Sequence, residues 1–280
     1  MLEPLQEEFM RRAIAEMALL GLAGGALGCW IVLYELSYAA ESLAHSIFPG
    51  LVIAALAGIP LLLGATPAIV IAALAIALAT RAPGTSRDVA VAVVVTTMFG
   101  LGVLLALSPD SPPGIETLLF GDILGPTDTD LVSAAVVAGL VLAALWLLHP
   151  RLLATGFDRG SASALGIAPG TIEAALLVLL AATTVVSVQG LGNLLVVAVL
   201  VGPAAAARQL TDRIMPMLFL AAAIAVLAGV AGLYVSYYAG TAGGASVALA
   251  ITAAYLLSLP AGRLLVPLST AQDRPETTIA

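Results

Sequence analysis

Apolar residues run almost without break along this chain, interrupted about every twenty positions by short clusters of Gly, Pro, Arg and acidic residues. The apolar runs fall at about 13–34, 37–63, 66–80, 89–108, 130–148, 172–190, 191–208, 214–238 and 244–265. At 1.5 Å per residue, a run of about 20 residues spans a hydrocarbon core of roughly 30 Å. The pattern therefore predicts about nine helices within a membrane. No run alternates apolar and polar positions with period two, which excludes a β-barrel. The expected fold is all-α: a polytopic membrane helical bundle forming a single transmembrane domain over residues 1–280.

Composition agrees with this and narrows the chemistry. Hydrophobic residues make up 61% and charged residues 10%, against about 25% charged in soluble domains, so lipid has to solvate most of the surface. The ten basic residues are all arginine. A phosphate-binding P-loop needs a lysine against the phosphates, and Schiff-base chemistry needs a lysine amine, so this chain does neither. If its work is driven by ATP, another polypeptide hydrolyses it. The single cysteine, Cys29, can form no internal disulfide. Glu3, Glu7 and Glu8 replace any basic n-region at the start, so no cleavable signal peptide is expected.

The few charges indicate sidedness. Arg81 and Arg87 share one connection, Arg151 and Arg159 another, Arg208 and Arg213 a third, and Arg263 and Arg274 the C-terminal tail. Between the first two lies Ser108 to Asp130, which holds Asp110, Glu116, Asp122, Asp128 and Asp130 and no basic residue. Basic connections face the cytoplasm, so the segment 109–129 is expected outside, and the C-terminus and the segment 149–170 inside. The N-terminus falls outside if residues 13–80 cross three times, and inside if 37–63 is partly re-entrant. Arg11 and Arg12 favour the inside; Glu3, Glu7, Glu8 and Glu16 oppose them.

Small residues recur at helical spacing. Gly21 with Gly25, Gly24 with Gly28, Ala225 with Gly229 and Ala228 with Gly232 form packing faces, within the bundle or between two copies. Chemistry is sparse. Away from the ends of the runs, one ionisable pair stands out, Glu41 and His45, and such residues at membrane depth are functional candidates. Four residues apart on a helix, they share a face, so a carboxylate and an imidazole can ligate one divalent cation. Pro49 lacks the N–H that would bond the carbonyl of His45, and Tyr38, Ser42 and Ser46 add oxygens nearby. The same pair could instead satisfy only each other, with Pro49 a kink, and the residues alone leave both readings open. Thr96, Thr97, Gln189 and Asn193 are further candidate ligands. His149, Trp30, Trp146, Tyr237 and Tyr238 sit near run ends, as interfacial residues do. The chain has no His-Glu-x-x-His, no facing aspartyl pair and no serine with an activating base, so an intramembrane hydrolase lacks its machinery.

Five stretches resemble, in order, the permease subunits of bacterial zinc/manganese-type ABC importers. Ala40 to Gly50 (AESLAHSIFPG) resembles that family's G-D-A-L-S-H-x-x-x-P-G segment, and Leu118 to Gly125 its L-F-G-D-I-L segment. Phe157-Asp158 with Ala162, Ala164 and Gly166 resembles its coupling segment. Gly192 to Arg208 is similar to G-x-L-L-V-V-A-L-L-x-x-P-A-A-x-A-R, and Gly232 to Tyr238 to G-L-x-x-S-Y-Y.

The resemblance implies a bundle related to the vitamin B12 importer permease. It would be multi-pass in the bacterial inner membrane, paired with a second copy of itself and served by cytoplasmic ABC ATPase subunits and an extracytoplasmic metal-binding protein. The chain would bind no resident cofactor and no nucleic acid, and its substrate would be Mn2+ or Zn2+. The resemblance further implies metal contact at Glu41 and His45, ATPase coupling at Asp158, Ala162, Ala164 and Gly166, and a receptor-facing Asp122. Glu41 stands where the family has Asp, Ala44 where it has a hydroxyl, and Arg159-Gly160 where it has Pro-Glu. The rival from another class is an ATPase-independent secondary carrier or channel for divalent metals. Against it stand the small-residue inner segment and the lack of further membrane-depth charges for ion coupling.

Overall fold

The structure is a computed structural model, and it describes residues 3–79, 81–83, 86–108 and 125–265. After a 3-10 turn at Glu3–Gln6 come α1 (Glu8–Leu33), α2 (Ser37–Ala57), α3 (Leu61–Ala79) and α4 (Arg87–Ala106). Next are α5 (Asp128–Phe157), the short α6 (Arg159–Ala164), α7 (Pro169–Leu191), α8 (Asn193–Leu210), α9 (Ile214–Ala239) and α10 (Gly243–Leu265). No strand occurs among the described residues. The nine apolar helices expected are present, all but α6: seven are long and apolar enough to cross a membrane, and α3 and α8 carry shorter apolar stretches.

Local chemistry sets the helix ends. Thr127 and Asp130 form a reciprocal capping box at the start of α5, and Ser86 caps α4. Gly58 and Gly240 end α2 and α9 in the left-handed conformation, where a Cβ is costly. Two boundaries differ from the hydropathy pattern. The run expected at 37–63 is cut at Gly58–Pro60, so α3 begins at Leu61 rather than 66. The run expected to end at 148 continues through Pro150 to Phe157. A proline inside a helix removes one hydrogen bond, here to the carbonyl of Trp146, and Leu152, Leu153 and Ala154 carry the helix on. His149 therefore lies inside α5 and not at a span end.

Two contacts show which helix ends share an end of the bundle. Arg12 pairs with Asp128 at 3.1 Å, at the start of α5 and beside the acidic segment. At the far end of α1, the Tyr34 hydroxyl donates to the carbonyl of Leu152 at 2.8 Å, close to the end of α5. The N-terminus thus lies at the same end of the bundle as the start of α5, and the end of α1 lies beside the end of α5 that leads into α6. Residues 13–80 run as three helices, and Arg12 pairs there with Glu8 and Asp128.

Helices α1 and α2 form the core. α1 packs against α5, α7, α8 and α9, and α2 against α3, α4, α7 and α8. The paired glycines serve these contacts within one chain: Gly21 and Gly25 face Ala225 and Ala221 of α9, and Gly24 and Gly28 face Val199 and Leu200 of α8. Gly50 of α2 and Gly64 of α3 cross so closely that a Cβ on either would collide with the other's carbonyl oxygen. Overpacking a core costs about 1–3 kcal/mol, and here the obstacle is backbone that cannot rotate away. Gly64→Ala is therefore expected to lower stability by at least that amount, seen as a depressed melting temperature of the detergent-solubilised protein. An unchanged melting temperature would show that the two helices can part without cost.

Candidate metal site

Glu41 and His45 lie one turn apart on α2, with Glu41 Oε1 and His45 Nε2 4.0 Å apart. That gap exceeds a hydrogen bond and is close to what one ion needs. Two ligands about 2.1 Å from a tetrahedral ion stand about 3.4 Å apart, so a small side-chain rotation closes the site. The His45 side chain is 23% exposed and that of Glu41 56%. Tyr38, Glu41 and His45 fall on one face of α2, and this face opens at the helix's first two turns while residues 46–52 are buried.

The surroundings hold the pair in place. The Phe99 ring of α4 meets the His45 imidazole edge-on at 5.0 Å and also contacts Phe48 at 5.5 Å. Gly102, one turn further along α4, lies against Phe48 and the nitrogen of Pro49, where a Cβ would be too close. Pro49 is thus clasped by Gly102 on one side, and its neighbour Gly50 meets Gly64 on the other. The hydroxyls of Ser42 and Ser46 donate to the carbonyls of Tyr38 and Ser42, each at 2.7 Å, and both residues are buried. Of the further candidates, Thr96 and Thr97 are exposed, and Thr97 bonds the carbonyl of Val93. The side chains of Gln189 and Asn193, and all of Asp122, lie outside the described residues. Among the described residues no cluster of three or more His, Cys, Asp or Glu is placed to hold a metal.

The segment between α5 and α7 carries the short helix α6. Asp158, extended between α5 and α6, caps α6 by accepting from the Gly160 N–H at 2.8 Å and from the Ser161 hydroxyl. Those bonds, first that from Ser161 and then those from the backbone, hold its carboxyl below the usual carboxylate range. Arg159 pairs with Glu173 of α7. Ala164 and Gly166 face outward, whereas Ala162 is fully buried and seats α6 on the bundle. Phe157 and Leu165 flank this surface, 87% and 74% exposed.

Two residues that sequence reasoning did not single out belong to this architecture. Glu16 is 1% exposed, its carboxylate against Gly190 near the end of α7. The apolar run starts at 13, which makes Glu16 a boundary charge in the sequence, but α1 begins at Glu8 and places Glu16 two turns inside. Phe99 carries no signal beyond an aromatic in an apolar run.

A family model described as the ABC 3 transport family matches residues 6–261. The chain belongs to the ABC 3 transport family. It is accordingly a transport subunit and not itself an enzyme, a multi-pass protein of the inner membrane. Among curated relatives in the family, it is 33% identical to the manganese transport system membrane protein MntC of Halalkalibacterium halodurans, over 91% of this chain and 87% of that one. It is 31% identical to the chelated iron transport system membrane protein YfeC of Yersinia pestis, over 93% of this chain and 88% of that one. The solved structure of PsaBC from Streptococcus pneumoniae in complex with Fab superposes with a TM-score of 0.86 at 29% identity, covering 92% of this chain and 93% of its counterpart.

Proposed function

We propose that this chain is the permease subunit of an ABC importer that carries a divalent transition metal, Mn2+ or Zn2+, into the cytoplasm, with Glu41 and His45 as its contact with the ion. The observation that supports this most is the pair itself: a carboxylate and an imidazole 4.0 Å apart on one face of a core helix, in a family of transporters. The printed names of the relatives, manganese for one and chelated iron for another, support a transition metal as cargo. Carboxylate with imidazole suits either Mn2+ or Zn2+, and completion by oxygen ligands favours Mn2+.

Two side chains leave such an ion under-coordinated, which suits a transit site. A second copy of the chain facing the exposed Glu41 would add another carboxylate and imidazole. In this reading the chain works as a homodimer. Cytoplasmic ATPase subunits dock on the surface of α6 formed by Ala164, Gly166, Phe157 and Leu165, with Asp158 holding the helix in shape. An extracytoplasmic metal-binding protein delivers the ion to the acidic segment 109–129, where Asp122 lies.

The test is metal uptake into vesicles that hold the permease with its ATPase, compared with vesicles whose ATPase carries an inactivated Walker motif. Uptake should fall to background in the second set. Uptake at full rate without ATP hydrolysis would instead establish an ATPase-independent carrier or channel.

A further inference from the structure

The inner end of α5 is built as a lever. Pro150 removes the hydrogen bond to the carbonyl of Trp146, and a proline is where a helix bends. A groove of about 750 Å3 between α1, α5 and α9, lined in part by Trp30, His149 and Pro150, leaves room beside that point. Beyond it, Pro150 to Phe157 is a rigid arm about 12 Å long. A single residue, Asp158, joins this arm to α6.

One side chain ties the arm to the end of α1, three residues before the helix that carries Glu41 and His45 begins. The Tyr34 hydroxyl donates to the Leu152 carbonyl at 2.8 Å in a buried setting, and Gly156 leaves space for the Tyr34 ring, whose edge would lie 3.3 Å from a Cβ there. Trp30 stacks edge-on against both Tyr34, at 6.4 Å, and His149, at 5.6 Å, so α1 grips both sides of the bend. Directly after Tyr34 comes Glu35, the one non-glycine residue with positive φ among the described residues, at 59°. It occupies the left-handed position that glycine usually fills, so this turn holds strain. The turn is closed by Leu36 N–H to Ile31 carbonyl at 2.8 Å. α2 starts at the next residue, and Glu41 lies one turn along it.

We propose that Tyr34 is a positioning residue that couples the arm to α2. Movement imposed on α6 swings the arm about Pro150, and the bond to Leu152 carries the swing through the Glu35 turn into α2. Glu41 and His45 then change position in step with the ATPase. This rests on the reading of α6 as the ATPase dock and of the pair as the metal contact.

The experiment uses the complete transporter, permease with ATPase and binding protein, in vesicles, recording Mn2+ uptake and phosphate release together. Tyr34→Phe keeps the ring packing and removes the bond. Losing one hydrogen bond is expected to lower Mn2+ taken up per ATP by about fivefold, with ATPase association and ATP turnover retained. A purely structural role would lower uptake and hydrolysis in proportion and leave their ratio unchanged; that result overturns the proposal. Gly156→Ala, which presses on the Tyr34 ring, should lower the same ratio and decides the matter if Tyr34→Phe does not assemble. Absence of ATP-dependent uptake by the unaltered transporter, or normal uptake by Glu41→Gln, would overturn the underlying function and the coupling with it. Normal uptake by the unaltered transporter together with an unchanged ratio in both Tyr34→Phe and Gly156→Ala overturns the coupling alone.

Discussion

Glu41→Gln and His45→Ala are each expected to reduce Mn2+ uptake to background, a loss of about 100-fold or more. Removing an outer-shell partner of a metal ligand already costs about 10–100-fold, and a ligand itself contributes more. The effect is large here because the chain offers few donors: no third His, Cys, Asp or Glu joins the pair among the described residues. Both changes leave the fold's supports intact. Glu41 is largely exposed, and the packing of α2 rests on its buried turn at residues 46–52 and on the Gly50–Gly64 crossing. Co-purification with the ATPase should be undiminished, because the surface proposed for docking is on α6, a helix separate from α2. Glu41→Asp is the informative companion, since it keeps the charge and draws the carboxylate back by one methylene. It should retain uptake and shift the preference between Mn2+ and Zn2+, read by competition in the same assay. Normal uptake in both Glu41→Gln and His45→Ala would reduce the pair to an ordinary intrahelical contact.

How much of this was legible in the sequence depends on the range of the interaction. The Glu41–His45 pair is local, set by a spacing of four residues on helical geometry, and it appears on one face of α2 as that spacing predicts. The cap formed by Asp158 is equally local, but the sequence points to Asp158 only through the family resemblance. The nine apolar helices follow from hydropathy alone. Hydropathy is blind, however, to where the chain turns within an apolar stretch, and so the run 37–63 hides the break at Gly58–Pro60. It also stops where polar residues begin, so the run ends at 148, before His149, Pro150 and Arg151, although the helix continues to 157. The small-residue pairs could be seen, but their partners could not: Gly28 meets Leu200 across 172 positions. That the N-terminus shares an end of the bundle with the start of α5 needed Arg12 against Asp128, and the tie between the ends of α1 and α5 needed Tyr34 against Leu152. No periodicity records contacts that distant, because they are products of the whole packing arrangement.

The second large effect is expected at the inner surface. Leu165→Asp and Ala164→Trp should each weaken association with the ATPase by about thirtyfold, the 2 kcal/mol typical of a central interface residue. Leu165 and Phe157 are apolar and largely exposed, which is how an unmet interface core looks, and Ala164 and Gly166 present so little side chain that a partner can approach the backbone. Ala162 provides the contrast. It is fully buried, so Ala162→Trp should dislodge α6 from the bundle and lower stability, whereas Ala164→Trp changes the outer surface alone and should leave the melting temperature as it is. The cap adds a statement about pH. The Asp158 carboxyl titrates below its ordinary value, so its support for α6 is complete above the usual carboxylate range and is lost only as pH falls through the lowered value. Association with the ATPase should therefore not vary through Asp158 between about pH 6 and 8. The measurement is co-purification or binding in detergent with metal binding followed in parallel. Loss of the ATPase with the metal contact preserved is the mirror image of the Glu41 and His45 result, and together they would divide the chain into a contact for the ion and a separate contact for its power source. Wild-type ATPase affinity in both Leu165→Asp and Ala164→Trp would mean that α6 is not the docking surface.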